Sequence, residues 1–336
     1  MPITGLGPHG ERAVSPAWKS LTPSDIAAAR ERRFRVAVVL HTNDSDWSRQ
    51  QLTGMVGTFG DSAVVVNEVV DCGFRADAQS NALQRLSNEP LDAIISIPVA
   101  NASVAEAHRC VSRAGIRLFL QENVPTGLLP GTDYTSFISA DNFGLGLICA
   151  ELLSPHVATG SEIGLMTYGI DFYSSNEREI AFRRWMIANR PDLTVRMIRF
   201  PSLDAVGETT RAFIDASPAI AGLFVVWDTP ALAAIHAFEA AGYDIPVTTV
   251  DLGRDAAICL ARGRQIVGIA AQEPFRQGVA AAETVIQSLL GVAVPHWIAL
   301  PGLPVTRENV AESYQTVWRS QILEKHSFAP TPKPAA

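Results

Sequence analysis

Short runs rich in valine and isoleucine recur along most of this 336-residue chain and alternate with stretches that carry helix signals. The runs do not alternate between apolar and polar residues, as a strand with one solvent-exposed face does. Such continuous apolar runs are typical of parallel strands buried on both faces. Ten such runs can be recognised: Val36–Leu40, Ala63–Val66, Ala93–Ile97, Arg117–Leu120, Phe137–Ser139, Ile163–Thr167, Val195–Phe200, Leu223–Val226, Val247–Val250 and Ile266–Ala271.

The segments between the runs carry the start and stop signals of helices. Pro230 and Pro274 stand at first-turn positions, and Gly115, Gly242 and Gly263 stand at or near C-terminal ends. Ten strands exceed what one doubly wound sheet usually holds, so two sheets of about five or six strands each are expected. The sequence therefore predicts an α/β protein with two doubly wound, Rossmann-like lobes.

Composition excludes several classes of partner and site. The chain has 27 basic and 34 acidic residues, a net charge of −7, which argues against a nucleic-acid partner. No stretch approaches the ~18 apolar residues of a membrane-spanning helix, so no direct membrane insertion is expected. The cysteines lie far apart and form no metal-ligand pattern, so neither a metal site nor a disulfide framework is predicted. They are Cys72, Cys110, Cys149 and Cys259.

The two ends of the chain differ from its centre. Residues 1–33 are rich in Gly, Pro and charge and are interpreted as a loose tail that ends in a short helix, Asp25–Arg32. Residues 326–336 are rich in Pro and Ala and are predicted to be disordered. No basic segment followed by an apolar one stands near Met1, so no secretory signal peptide is recognised.

Polar and aromatic residues follow the predicted strands where ligands bind in open α/β sheets, at the carboxyl ends. Carboxylate and amide groups can form hydrogen bonds with the hydroxyls of a sugar, and an aromatic ring can pack against its apolar face. A cleft for a small polar ligand is therefore predicted, although helix capping explains Asn142 and Asp228 equally well. The candidates in chain order are His41, Asn43, Asp46, Trp47, Ser48, Gln121, Glu122, Asp141, Tyr173, Arg178, Trp227, Asp251 and Gln272.

Motifs of the common enzyme classes are incomplete or lacking in the sequence. The run from Gly144 to Cys149 approaches a dinucleotide-binding GxGxxG/A pattern, but its last position is wrong and it falls mid-chain. No nucleophile elbow and no phosphate-binding Walker loop occur. No catalytic residue, no cofactor and no enzyme activity are therefore predicted.

At the strand ends the sequence resembles the type I periplasmic solute-binding proteins, in the group that binds ribose and other monosaccharides. The resemblance spans roughly residues 34–318. Its most specific matches are Ser139–Asn142 with the following Gly144, Asn176–Arg178, Val250–Asp251 and Ala271–Pro274.

The resemblance implies a role for each of several candidates. Trp47 takes the place of the aromatic that stacks on the sugar ring, and Asp46 and Ser48 flank it. Arg178 matches the arginine that binds ring or anomeric oxygens, and Asp251 matches a carboxylate that accepts from sugar hydroxyls. The hinge-side amide of the family corresponds to Gln272. His41, Asn43 and Tyr173 are further candidates for ligand contacts.

The resemblance also implies an architecture and a cellular role. The chain would cross between lobes three times, giving one lobe of residues 34–140 and 273–299 and a second of residues 141–272 and 300–325, which close by a hinge. The implied role is that of a monomeric, periplasmic component of an ABC-type sugar importer that docks on its permease. Two alternatives stay open: a cytoplasmic location, and a sugar-sensing domain for a chemoreceptor or transcriptional regulator.

Two departures from the ribose pattern alter the expected ligand. Gln121-Glu122 stands where the family has Asp-Arg, and Trp227 stands where it has Asn. The cleft is therefore expected to be more acidic and more aromatic than a ribose site. A hexose, a polyol and an amino sugar whose ammonium pairs with Glu122 or Asp251 all remain candidates.

Overall fold

The computed structural model describes residues 2–319 of the chain. Its strands, in chain order, are β1 Arg35–Leu40, β2 Val65–Asp71, β3 Ala93–Ser96, β4 Arg117–Gln121, β5 Ser136–Ala140, β6 Glu162–Tyr168, β7 Thr194–Phe200, β8 Ile220–Val225, β9 Val247–Val250, β10 Ile266–Ala271, β11 Trp297–Leu300 and β12 Leu303–Val305.

Helices follow nearly every strand. They are α1 Pro23–Arg32, α2 Asp46–Asp61, α3 Ala76–Leu86, α4 Ala105–Arg113, α5 Asn142–Leu153, α6 Tyr173–Asn189, α7 Val206–Ala216, α8 Asp228–Ala240, α9 Arg254–Ala261, α10 Pro274–Leu289 and α11 Val310–Trp318.

The strands form two six-stranded sheets, and each sheet is the centre of one lobe. The lobe 1 sheet has the order β11-β5-β4-β3-β1-β2 and is parallel throughout. The lobe 2 sheet has the order β12-β10-β9-β8-β6-β7 and is parallel except for β12. The predicted fold class, two doubly wound α/β lobes, is thus confirmed.

Apolar side chains fill both faces of each sheet. Val36 and Val38 point to one face of β1, while Ala37 and Val39 point to the other, and all four are fully buried. Burial of strands on both faces explains why the sequence shows continuous apolar runs.

The second strand begins later than the sequence predicts. The predicted run Ala63–Val66 overlaps the turn after α2, where Ala63 adopts a left-handed conformation. The strand itself is Val65–Asp71, and it contains Asn67 and Glu68. Because β2 lies at a sheet edge, its residues alternate between exposed and half-buried, so the apolar signal is weak there.

The chain passes between the lobes at three places. It leaves sheet 1 after Ala140 to form α5, which packs on lobe 2, and it leaves sheet 2 after Ala271 to form α10, which packs on α2 in lobe 1. It crosses again between Leu300 and Leu303, from β11 to β12. The three crossings adjoin one another, because the Asp141 N–H donates to the Leu300 carbonyl and Ala271 pairs with Leu303. We call these crossings the hinge region.

The N-terminal segment is docked on the body of the protein, which differs from the loose tail expected. Val14 pairs with Ile298 in β11 at the edge of the lobe 1 sheet. The backbone N–H groups of Thr4 and Gly5 donate to the carboxylate of Asp141 at the start of lobe 2. The residues that hold this segment are distant from it in sequence. For this reason the Gly- and Pro-rich composition of the segment did not indicate that it would be ordered. The predicted disordered tail, residues 326–336, lies outside the described residues, as does the end of the second lobe at 325.

Within residues 2–319, no helix combines the length and apolar character needed to cross a membrane, and no three potential metal ligands cluster. All four cysteines have free thiols, and three of them are buried.

Candidate ligand-binding site

The carboxyl ends of the two sheets face a shared cavity of about 740 Å³. Lobe 1 supplies the loop from β1 into α2, the turn after β2, and Glu122 after β4. Lobe 2 supplies residues that follow β6, β8, β9 and β10. A cavity of this volume matches the usual size of a small-molecule site, which is about 300–1,000 Å³.

Three aromatic rings form the lobe 1 side of the cavity. His41 packs edge-on against Trp47 at 5.9 Å between ring centroids and against Phe74 at 5.0 Å. Ser45 caps α2 by accepting from the Ser48 N–H, which fixes the loop that carries Trp47. Burial lowers the pKa of His41 to about 4, against the opposing charge of Asp71, so the ring is neutral near pH 7.

A second aromatic group stands on the lobe 2 side. Trp227 packs edge-on against Tyr168 at 5.4 Å and against the buried Phe200 at 5.3 Å. Trp227 and Tyr168 line the cavity; Tyr168 is the last residue of β6, and Trp227 lies two residues after the end of β8. Each lobe therefore brings at least one tryptophan to the cleft.

Glu122 lines the cavity but is held by the protein itself. Its Oε1 accepts from the Ala140 N–H at 2.8 Å, and its Oε2 accepts from Asn142 Nδ2 at 3.0 Å and Ser174 Oγ at 2.7 Å. Burial raises the pKa of Glu122, and Arg178 and these hydrogen bonds oppose the rise. Glu122 thus links β4, the start of α5 and α6 at the hinge.

Arg178 is fixed by two acceptors and is the main buried cation of the cleft. Its Nε donates to Asn142 Oδ1 at 2.9 Å and its Nη1 donates to the Val226 carbonyl at 2.8 Å. Only 5% of the residue is exposed, and the two bonds fix the orientation of the guanidinium group. Asn142 therefore bridges Glu122 and Arg178 and orients both.

Two neighbouring carboxylates, Asp228 and Asp251, line the lobe 2 side of the cavity. Asp251 accepts from Gln272 Nε2 at 2.6 Å, and Asp228 accepts from the Gly253 N–H at 2.7 Å. Burial and the charge of Asp251 raise the pKa of Asp228. Burial also raises the pKa of Asp251, which Arg178 and the Gln272 hydrogen bond lower in part.

Left-handed backbone occurs at two of these acidic positions. Glu122 has φ 56° and Asp251 has φ 72°, and both directly follow a strand. For residues with a Cβ this conformation costs roughly 1–2 kcal/mol and is concentrated at functional sites. The strained turns support the assignment of this cavity as the functional site.

Eight of the predicted contact residues line the cavity. They are His41, Asp46, Trp47, Glu122, Arg178, Trp227, Asp251 and Gln272. Asp46 is about half exposed and pairs with Arg49 at 2.8 Å, which places it at the rim.

Five predicted contact residues do not line the cavity. Ser48 is buried against Ser45, and Gln121 is fully buried behind the cavity wall. Asp141 caps α5 and binds the N-terminal segment, and the Tyr173 hydroxyl donates to the Leu6 carbonyl. Asn43 is exposed and does not line the cavity. Helix capping uses the carboxylate of Asp141 and a backbone contact uses the Tyr173 hydroxyl, whereas the Gln121 amide has no hydrogen-bond partner within residues 2–319.

Several lining residues were not among the sequence candidates. Asp228 stood between capping and binding, and it both accepts from backbone and lines the cavity. Its position after a strand gave a usable signal, as did that of Tyr168. Phe74 and Trp318 carried no sequence signal, because a turn and the C-terminal helix bring them to the cleft.

Comparisons with known proteins agree with this fold. The family model described as periplasmic binding protein domain matches residues 36–292. A search of curated proteins finds no match. One similar solved structure is an ABC transporter solute-binding protein from Agrobacterium vitis bound with α-D-tagatopyranose, at 20% identity and TM-score 0.77, covering 85% of this chain and 98% of that one.

Two further solved structures are similar to this chain in fold. A second Agrobacterium vitis solute-binding protein, with bound D-fucose, has 19% identity and TM-score 0.76, covering 84% of this chain and 99% of that one. One from Actinobacillus succinogenes with bound D-allose has 18% identity and TM-score 0.74, covering 83% and 99%. At such low identity these structures establish the fold alone. The family match covers most of the chain, so this chain belongs to the periplasmic binding protein family, with the type I fold that the sequence predicted.

Proposed function

We propose that this protein is the solute-binding component of an ABC-type importer and captures a monosaccharide or related polyol by closing its two lobes. The observation that carries the proposal is the cavity between the strand ends, with a tryptophan from each lobe and a set of carboxylate, amide and guanidinium groups. Flat apolar walls combined with fixed polar groups suit a sugar ring, which has apolar faces and hydroxyls around its edge. The structural neighbours that hold tagatose, fucose and allose support the same ligand class.

The proposed contacts divide by chemistry. Trp47 and Trp227 cover the faces of the ring, and Nε1 of Trp47 is a buried donor that has no partner within residues 2–319. Arg178 donates to ring or anomeric oxygens, while Asp251 and Asp228 accept from hydroxyls. Gln272 contacts the ligand from the hinge side. A ligand that satisfies these groups avoids the cost of burying them unpaired.

Asp228 and Asp251, which we call the acidic pair, determine which groups of the ligand can bind on the lobe 2 side. Glu122 already accepts three hydrogen bonds from the protein, so we assign any amine contact to Asp228 and Asp251 instead. Two neighbouring carboxylates require donors from the ligand, which adjacent hydroxyls of a hexose or polyol provide, and which the ammonium of an amino sugar also provides. Titrating an amino sugar against its parent sugar decides between these, because equal affinities rule out the amine contact.

The rest of the proposed role follows from family membership. We propose a monomer that works in the periplasm, has no catalytic activity and docks on a membrane permease without entering the bilayer itself. The neighbours are transporter proteins, so they do not favour the sensing alternative.

A thermal-shift screen of neutral hexoses, pentoses, polyols and amino sugars tests the proposal. A ligand that binds the folded protein raises the melting temperature by mass action, by an amount that grows with its concentration. Hits are then titrated by calorimetry against the wild type and Asp251→Asn, which retains the shape of the side chain but removes its charge. Failure of every sugar and polyol to raise the melting temperature overturns the proposal.

A further inference from the structure

We propose that Gln277 and Gln51, which do not line the cavity, are positioning residues that orient Gln272 toward Asp251 through a chain of three buried amides. The consequence for ligand affinity rests on the proposed function, whereas the orientation of Gln272 does not. This chain of amides connects α2 of lobe 1 with Asp251, the carboxylate of lobe 2 that is proposed to contact the ligand.

The three glutamines are joined end to end by hydrogen bonds. Gln51 Nε2 donates to Gln277 Oε1 at 3.1 Å, and Gln277 Nε2 donates to Gln272 Oε1 at 3.1 Å. Gln272 Nε2 then donates to Asp251 Oδ1 at 2.6 Å. Gln51 and Gln277 are fully buried and Gln272 is 3% exposed, so water does not compete for these bonds.

All hydrogen bonds in the chain of amides run in the same direction, and this direction presents a donor to the carboxylate of Asp251. An amide group has a donor end and an acceptor end, so fixing one end of Gln272 fixes the other. Because Gln277 donates to the oxygen of Gln272, the NH₂ group of Gln272 must point at Asp251. The reversed amide would place a carbonyl oxygen against the carboxylate and repel it.

Close packing of two helices holds the chain in register. Gly54 on α2 and Gly278 on α10 lie at the contact, and a Cβ at Gly54 would overlap the Phe275 carbonyl. A Cβ at Gly278 would likewise overlap the Gln51 carbonyl. The glycines allow the backbones to approach closely enough for Gln51 to reach Gln277.

The chain also joins both sides of the ligand site. Trp47 lies four residues before Gln51 on α2, which places the two on the same face of the helix. The chain of amides thus begins on the helix that carries Trp47 and ends at Asp251 on the lobe 2 side of the site. A shift of α2 relative to the hinge would change the donor offered to Asp251.

The first experiment needs no ligand. In the ¹H–¹⁵N spectrum of the full-length protein, the side-chain NH₂ signals of Gln272 report its hydrogen bond to Asp251. Gln277→Met retains the length of the side chain and removes both of its hydrogen bonds. We expect this variant to shift the Gln272 signals and to speed their exchange with water.

A matched control lies on the same helix. Gln287 is also a fully buried glutamine of α10, but it donates to the Lys19 carbonyl and not toward the cleft. Gln287→Met should leave the Gln272 signals unchanged. Gln51→Met, at the far end of the chain, should shift them less than Gln277→Met and guards against a folding defect in the latter.

The second experiment measures affinity for a sugar identified in the thermal-shift screen. We expect Gln277→Met to weaken binding about tenfold, as the loss of one well-placed buried hydrogen bond does. If Gln277 acts through Asp251, the same substitution in an Asp251→Asn background should cost almost nothing more.

The outcomes separate the two claims. Unchanged Gln272 signals in Gln277→Met overturn the positioning role, and so does a tenfold loss that persists in the Asp251→Asn background. A protein that binds no sugar overturns the proposed function, while the ligand-free spectra still decide the role of Gln277.

Discussion

Glu122→Gln distinguishes a carboxylate that holds the hinge together from one that only contacts ligand. In the wild type the two oxygens accept from the Ala140 N–H, Asn142 Nδ2 and Ser174 Oγ. A glutamine offers one oxygen and one NH₂ group. Its best orientation keeps the oxygen toward Asn142 and Ser174 and turns its NH₂ against the Ala140 N–H.

The magnitude follows from these contacts. One hydrogen bond to a charged acceptor is lost, at about 1.5–3 kcal/mol, and two others weaken because their acceptor becomes neutral. Part of this loss is offset, since burial raises the pKa of Glu122 and an amide is cheaper to bury than a carboxylate. We expect a net loss of about 1–3 kcal/mol in the free energy of unfolding.

Urea unfolding followed by tryptophan fluorescence measures this loss in the ligand-free protein. The matched control is Glu179→Gln on α6, a buried carboxylate that contacts Thr167 and Arg199 outside the cleft. We expect Glu122→Gln also to weaken sugar binding, because Asn142 and then Arg178 lose their alignment, and Glu179→Gln to leave it unchanged. Unaltered stability of Glu122→Gln combined with a large loss of affinity would refute the hinge role.

Three further results are expected. Trp47→Ala should weaken sugar binding about tenfold or more by calorimetry and change the ligand-free stability little, because the ring is only partly buried. Burial and Asp251 raise the pKa of Asp228 above its usual 3.8, so its contribution to stability is present below about pH 4 and is lost as pH rises through the raised pKa. Urea unfolding should therefore show Asp228→Asn gaining about 1–2 kcal/mol over the wild type at pH 8 and almost nothing near pH 4. Asp141→Asn weakens the contacts to Thr4 and Gly5, and hydrogen exchange of residues 2–12 should accelerate.

Each expectation has a contrary result. Full affinity in Trp47→Ala removes the stacking role, and a pH-independent difference for Asp228→Asn removes the acidic pair as a source of strain. Unchanged hydrogen exchange in Asp141→Asn means that the other contacts of the segment, such as those of Leu6 with Tyr173 and of Val14 with β11, are enough to hold it.

The sequence predicts the sheets well because burial on both faces leaves a signal in each strand. Continuous apolar runs such as Val36–Leu40 and Ile266–Ala271 give the count of lobes and the positions of the strand ends. Since parallel strands end at one edge, the sequence alone predicts that Trp47, Arg178, Asp251 and Gln272 lie at the cleft. The predicted position of the edge strand β2 differs from the observed one, because four of its seven residues are exposed and its apolar signal is weak.

Only the tertiary structure decides which strand-end groups remain for a ligand. Asp251 and Asp141 each follow a strand in the sequence, yet Asp251 lines the cavity while Asp141 is used by Thr4 and Gly5, whose pairing spans more than a hundred residues. Likewise, nothing local connects Gln51 with Gln277, which are 226 residues apart and meet only because α2 and α10 pack at their glycines. Local patterns record burial and strand period, whereas hydrogen-bond partners depend on how distant elements come together.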